Sequence, residues 1–324
     1  MSEPTVEVHL SPEQLHLSLR EDARIGLAAT PKWLPPKWFY DARGSELFEE
    51  ITRLPEYFPT RTERELLRAS ATHVAEATSA QILVELGSGS SDKTRLLLAA
   101  LTAHGTLERY VPQDVSEAAL VSATRQLADE FPELTVHGIV SDFTDTLHNL
   151  PRGGRRMIAF LGGTLGNLVP EEREEFLASI AEVLDEGEQL LLGVGLVTDP
   201  AVLVPAYDDA AGVTARFNLN LLSVLNEQLG ADFDVSKFRH VALWDAAHEW
   251  IEMRLEATTA MTVRLPVLGT KVRFAEGEQM RTEISAKFRP EGICKELERA
   301  GFGSDRVWTD PQERFALVLA DRVG

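Results

Sequence analysis

The 324 residues, 44% apolar and 26% charged, have the balance of a soluble globular protein with chain enough for one large domain or two ordinary ones. A formal net charge of −19 argues against a phosphate-backbone partner, because nucleic-acid binding draws on dense Lys/Arg surfaces. One cysteine, Cys294, allows no intrachain disulfide; the most apolar run, 189–197, is too short to span a bilayer, and the first residues lack the regions of a signal peptide. The chain is therefore expected to be cytoplasmic, with no nucleic-acid and no membrane partner.

In chain order, a polar start leads to a helix over 14–26 and then to Pro31-Lys-Trp-Leu-Pro-Pro-Lys-Trp-Phe-Tyr40. The prolines there forbid a helix and favour an extended or turning path. A short helix follows at 44–51. From residue 60 the pattern predicts a helix (62–77), a strand (81–86), a helix (93–101), a strand (108–113), a helix (116–131) and strands at 134–140 and 155–161. A helix (171–184) and a fifth strand (188–194) complete the run. Strands alternating with helices in this way indicate a doubly wound, mostly parallel sheet. The basic run at 152–156 reads as a solvated turn.

Residues 199–287 have another character. Helices at 200–209 and 211–229 precede strands at Trp250–Ala257, Met261–Leu265 and Thr270–Phe274, which read as an antiparallel meander. The tail returns to a helix (290–300) and a strand pair (304–308, 315–320) that can complete the first sheet. The expected division is 60–198 with 288–324 as one domain, and 1–59 with 199–287 as a second, inserted one. No repeat and no heptad seam is present, and a monomer is expected.

The loop Glu85-Leu-Gly-Ser-Gly-Ser90 lies at the carboxyl end of the first strand of the alternating run, where open parallel sheets bind nucleotide-like ligands. Asp92 stands where a phosphate-binding loop needs its second glycine, and where a dinucleotide fingerprint needs its last one. S-adenosylmethionine needs no pyrophosphate site and suits a loop surrounded by acids. Asp114 ends the second strand and can accept from both ribose hydroxyls. Asp142 follows the third and can accept from the adenine amine, with Phe143 against the ring. The loop thus predicts an S-adenosylmethionine-dependent methyltransferase. The eight histidines show no His-Glu-x-x-His, and one cysteine cannot build a zinc site, so no metal is expected.

Longer blocks carry a more specific likeness: Leu34-Pro-Pro-Lys-Trp-Phe-Tyr-Asp41, Ile51-Thr-Arg-Leu-Pro-Glu-Tyr-Phe-Pro-Thr-Arg-Thr-Glu63, Phe160-Leu-Gly-Gly-Thr-Leu-Gly-Asn-Leu168, Ala206-Tyr-Asp-Asp-Ala-Ala-Gly-Val-Thr-Ala215 and Thr282-Glu-Ile-Ser285. Over nearly its whole length the chain resembles the L-histidine Nα-methyltransferases of ergothioneine biosynthesis. The resemblance implies a Rossmann-like class I methyltransferase sheet with an inserted α+β substrate-binding domain. It implies S-adenosylmethionine-dependent trimethylation of the α-amine of L-histidine to hercynine. Gly87, Lys93, Asp114, Asp142 and Phe143 would contact the cofactor. Tyr57, Asn167, Tyr207, Glu283, Ile284 and Ser285 would hold histidine, and Tyr40 and Asn167 would act at its amino group. Glu283 and Ser285, two apart on a strand, share a face and can both bond one imidazole. Met253 is a candidate neighbour of the ring.

Overall fold

The computed structural model describes residues 4–89, 91–144 and 147–324, with the backbone alone at 304 and 305. Ser90, the last residue of the expected glycine loop, lies outside the described residues. The chain divides into two compact units: one of Met1–Ser11, Arg61–Val197 and Phe288–Gly324, the other of Pro12–Thr60 and Thr198–Lys287.

The first unit is built on an eight-stranded sheet. In spatial order its strands are Thr5–Val8, Thr135–Val140, Arg109–Asp114, Ile82–Leu86, Arg156–Phe160, Gln189–Gly195, Phe315–Arg322 and Phe302–Thr309. The first six run parallel, and the last two add antiparallel at one edge. Ile82–Leu86 and Arg156–Phe160 are buried throughout, which explains why they are mostly apolar without alternation: a parallel strand covered on both faces has no solvent side to mark with polar residues. Strand order reverses around Ile82–Leu86, so its carboxyl end opens at a topological switch point. Helices Arg95–His104 and Glu117–Glu130 follow the first two strands of the alternating run. Leu97, Leu98, Leu101 and Leu127 bury into one core with Leu83, Tyr110 and Leu317.

Two expectations for this unit change. The N-terminal residues were grouped with 199–287, but Thr5–Val8 pairs in parallel with Thr135–Val140 and so extends the large sheet. Four residues with alternating polarity carry too weak a period to reveal a strand that depends on a distant partner. The run at 152–156 is not wholly solvated. Arg156 opens a buried strand and its guanidinium bonds Glu188, Nε reaching both carboxylate oxygens at 2.9 Å.

The second unit packs helices Pro12–Gly26, Ala42–Ile51, Pro200–Tyr207 and Val213–Leu229 with a four-stranded sheet. That sheet runs in the order Lys32–Trp33, Gln279–Ala286, Trp250–Ala257, Phe238–Asp245. The predicted meander is corrected here. Trp250–Ala257 lies between Phe238–Asp245 and Gln279–Ala286, while Met261–Leu265 and Thr270–Phe274 form a separate hairpin. Phe238–Asp245 escaped notice because most of its residues are half-buried and its sequence alternates weakly.

The Arg156–Glu188 pair generates a stability prediction. Removing one partner of a buried ion pair leaves an uncompensated charge, at a cost of about 3–5 kcal/mol. Arg156→Met should lower the free energy of urea unfolding by that order. Arg156→Met/Glu188→Gln should recover much of the loss; a double variant as unstable as the single one would refute the pairing argument.

Candidate active site

In the first unit the glycine loop follows Ile82–Leu86. Gly87 and Gly89 hold φ of 67° and 50°, conformations open to glycine at little cost. A Cβ at Gly89 would meet nothing within 4 Å, whereas one at Gly87 would lie 3.5 Å from the Phe143 ring. The Gly89 N–H donates to Asp114 Oδ2 at 2.9 Å and the Ser116 N–H to Oδ1 at 3.0 Å. Each Asp114 oxygen thus keeps a lone pair for a ligand hydroxyl. Burial raises the Asp114 carboxyl above its ordinary range, against the pull of these N–H donors. Asp142 Oδ1 accepts from the Thr144 N–H (2.9 Å) and hydroxyl (2.6 Å). Phe143 packs edge-on to Phe160 with centroids 5.2 Å apart. Ser88 Oγ and Gln113 Oε1 are buried without a hydrogen-bond partner among the described residues. A loop with open space over Gly89, two carboxylates, an aromatic ring and orphaned polar atoms fits a nucleoside with an amino-acid head. Asp92 is exposed and bonds Arg95 at 2.7 Å; what stands against a phosphate loop is therefore the missing glycine more than a facing charge.

Beneath the loop lies a carboxylate network that the sequence did not disclose. Glu63, wholly buried, accepts from Lys93 Nζ and, at 2.7 Å, from the Gly162 N–H. Lys93 is thus held by the protein's own acid. Glu85 accepts from the hydroxyls of Thr94 and Tyr110, and burial pushes its carboxyl up to about 7 while those donors and the Lys93 charge pull it down. Gly193 makes room for Glu63: a Cβ there would fall 2.1 Å from Glu63 Oε1. Asn167 closes the short 3₁₀ turn Thr164–Asn167 and is half-buried.

In the second unit an aromatic chain joins the expected tyrosines. Tyr40 meets Phe48 edge-on (5.5 Å), Phe48 meets Tyr57 (6.3 Å) and Tyr57 meets Tyr207 (6.1 Å). Tyr40 is exposed, whereas Tyr57 and Tyr207 are buried. The Tyr207 hydroxyl lies 2.8 Å from Ser285 Oγ. Glu283 and Ser285 alternate onto one face of Gln279–Ala286, with Met253 directly opposite Glu283 in the pairing. Ile284 falls on the other face, so its side chain parts from the pair it was grouped with.

Two features here were missed. Lys287 Nζ donates to Tyr207 Oη (2.8 Å) and Ser285 Oγ (2.7 Å). A lysine two residues past Ser285 could have been read as facing with it by strand alternation. The second is a buried relay behind Tyr207. Thr282 Oγ1 donates to Asn218 Oδ1 (2.7 Å), Asn218 Nδ2 to His240 Nδ1 (2.8 Å), and His240 Nε2–H to the Tyr207 carbonyl (2.8 Å). Burial lowers the His240 pKa, keeping the neutral ring this relay needs. No period in the sequence links residues so far apart.

Glu283 stands out chemically. The other buried carboxylates of the described residues all accept from protein donors: Glu63, Glu85, Asp142 and Glu188 as above, Asp209 from the Val213 and Thr214 N–H groups, Glu252 from Trp250 and Arg254, and Asp310 from the Phe315 N–H. Glu283, 8% exposed, receives no such bond among the described residues. Burial raises it to about 8, and only the Lys287 charge pulls it down.

Residues 19–322 match the histidine-specific, S-adenosylmethionine-dependent methyltransferases. The chain belongs to that family. It is 50% identical to the histidine N-alpha-methyltransferase of Mycolicibacterium smegmatis, over 97% of this chain and 98% of that one. It is 51% identical to the enzyme of the same name from Mycobacterium tuberculosis, over 98% of each. The Neurospora crassa ergothioneine biosynthesis protein 1 is 29% identical over 97% of this chain but only 35% of its own length. A solved S-adenosylmethionine-dependent methyltransferase from Clostridium acetobutylicum, 12% identical, shares the fold with a TM-score of 0.51 over 86% of this chain and 98% of that one. The class I methyltransferase sheet expected from the alternating strands is therefore the fold of this family member, and its methyl donor is S-adenosylmethionine.

Gly193→Ala should expel Glu63 from its cradle and release Lys93. Overpacking of this kind costs about 1–3 kcal/mol. S-adenosylhomocysteine affinity, read by calorimetry, should fall about tenfold or more, a loss of about 1.4 kcal/mol; unchanged affinity would show that the Glu63–Lys93 pair does not shape the loop.

Proposed function

We propose that the chain transfers methyl groups from S-adenosylmethionine to the α-amine of L-histidine, three times, to give hercynine, the opening step of ergothioneine biosynthesis. The observation that carries this reading is the largely buried carboxyl of Glu283, which meets no donor among the described residues, in a chain of this family. A buried acid without a partner is costly, and an imidazole ring nitrogen supplies the partner it lacks. Amino acids without that ring would leave it unsatisfied, which is a strong basis for rejection.

Around Glu283, Ser285 is proposed to bond the same imidazole, and the hydroxyls of Tyr57 and Tyr207 to meet the carboxylate. Of Ile284 only the backbone remains a candidate contact. Gly87, Lys93, Asp114, Asp142 and Phe143 are proposed to hold the cofactor, with Asp114 accepting from the ribose hydroxyls. The cofactor's sulfonium supplies an activated methyl and a good leaving group, so the displacement asks no metal of the protein. The protein's work is alignment and exclusion of water. Asn167 is proposed to accept from the amine through its carbonyl oxygen and so orient the nitrogen lone pair. The amine must shed a proton before each attack. Burial disfavours the ammonium form, and Tyr40 or a water is proposed to take the proton.

The acidic surface implied by a net charge of −19 supports a small-molecule substrate without a nucleic-acid partner. No helix of the described residues is long and apolar enough to cross a membrane. We take the catalytic unit to be a cytoplasmic monomer with residues 199–287 at the core of its substrate-binding part.

Mass spectrometry of the protein incubated with S-adenosylmethionine and a mixture of free amino acids should show three methyl groups gained by histidine alone. Modification of another amino acid instead would overturn the substrate. Glu283→Ala should raise KM for histidine far more than KM for S-adenosylmethionine, and equal effects would remove Glu283 from substrate recognition. Tyr40→Phe should lower kcat in a pH-dependent way; an unchanged kcat across the pH range would take the proton-accepting role from Tyr40.

A further inference from the structure

Lys287 follows directly on the second unit's last strand, Gln279–Ala286, and is 9% exposed. Its ammonium is a donor only, with three protons and no lone pair. Two of those donors reach Tyr207 Oη and Ser285 Oγ, and the nitrogen also lies 4.9 Å from the Tyr207 ring centroid. No carboxylate of the described residues forms an ion pair with it. A lysine buried without an ion-pair partner is exceptional; its charge reaches Glu283, a carboxyl that meets no donor among the described residues.

Counting protons shows what Lys287 imposes. Tyr207 Oη and Ser285 Oγ both accept from the ammonium and lie 2.8 Å from each other. One of the two hydroxyl protons fills the bond between them. The other is turned away from the ammonium, which repels it, and is left to donate outside the triangle. Without Lys287 each hydroxyl would rotate between donor and acceptor states. With it, the triangle presents a fixed donor beside a carboxyl.

We propose that Lys287 is a positioning residue of the substrate site: by donating to Tyr207 and Ser285 it commits that hydroxyl pair to donate to a lone-pair-bearing group of the amino-acid substrate. This rests on the reading of Glu283 and Ser285 as the substrate face. Glu283, Ser285 and Lys287 then act as one alternating stripe, the first bonding the substrate directly and the last acting through its neighbours.

The test is calorimetric binding of L-histidine to the whole protein saturated with S-adenosylhomocysteine. Wild-type binding of histidine checks the underlying assignment independently; its absence would sink that assignment and not the role of Lys287 alone. Lys287→Met should weaken histidine binding about tenfold or more, while S-adenosylhomocysteine affinity stays within twofold. Lys287→Arg, which keeps charge and donors, should restore part of the loss and stands in should the Met variant fail to fold. In a Tyr207→Phe/Ser285→Ala background, Lys287→Met should cost several-fold less than in the wild type. A merely structural lysine would give the same penalty in both backgrounds. Equal penalties, or unchanged histidine affinity in Lys287→Met, would overturn the proposal.

Discussion

A carboxylate removed from water must find donors, and the organisation of both units follows from where such donors are supplied. In the first unit Glu63 is satisfied by Lys93 and the Gly162 N–H, and Glu85 by Thr94 and Tyr110. These bonds tie the helix Pro59–Thr78, the strand Ile82–Leu86 and the loop after it into one frame. In the second unit Glu283, 8% exposed, has no donor of the protein's own among the described residues. The same constraint that makes Glu63 and Glu85 structural is what supports the proposal that Glu283 meets a substrate.

The two units answer different demands. The parallel sheet gathers Glu85, Asp114 and Asp142 near the carboxyl ends of consecutive strands, because every strand of the alternating run points the same way. That suits a cofactor whose shape is fixed and whose hydroxyls need acceptors. The second unit's mixed sheet instead offers alternation: Glu283 and Ser285 fall on one face of Gln279–Ala286, with Lys287 just beyond the strand bonding Ser285, and Thr282 and Ile284 fall on the other. One face carries the residues proposed to meet the substrate, and the other is pinned by the Thr282–Asn218–His240 relay that also holds the Tyr207 carbonyl. Position and support therefore come from adjacent residues of a single strand.

Much of the first unit was legible because a buried parallel strand writes its burial as a mostly apolar run without alternation. Leu83 and Leu86 mark one such strand, Met157 and Phe160 another, and Gly87 and Gly89 the turn between strand and helix. The second unit was harder to read. Trp250–Ala257 was recognised as a strand but assigned the wrong neighbour, since local alternation says that a strand exists and not which edge it meets. Thr5–Val8 was lost for the same reason: its partner, Thr135–Val140, is remote in the chain.

By itself the sequence determined the alternating architecture, the acids after successive strands, the unsuitability of the loop for phosphate and, through its longer blocks, the likeness to one family. Tertiary structure decided which acids find donors. Glu63 and Glu85 are satisfied, Glu283 meets no donor among the described residues, and Lys287 belongs to the hydroxyl pair of Tyr207 and Ser285. The reason is physical. A residue's tendency to form helix or strand is largely local, but the energy of a buried charge depends on every donor within a few ångströms, and those donors arrive from distant parts of the chain.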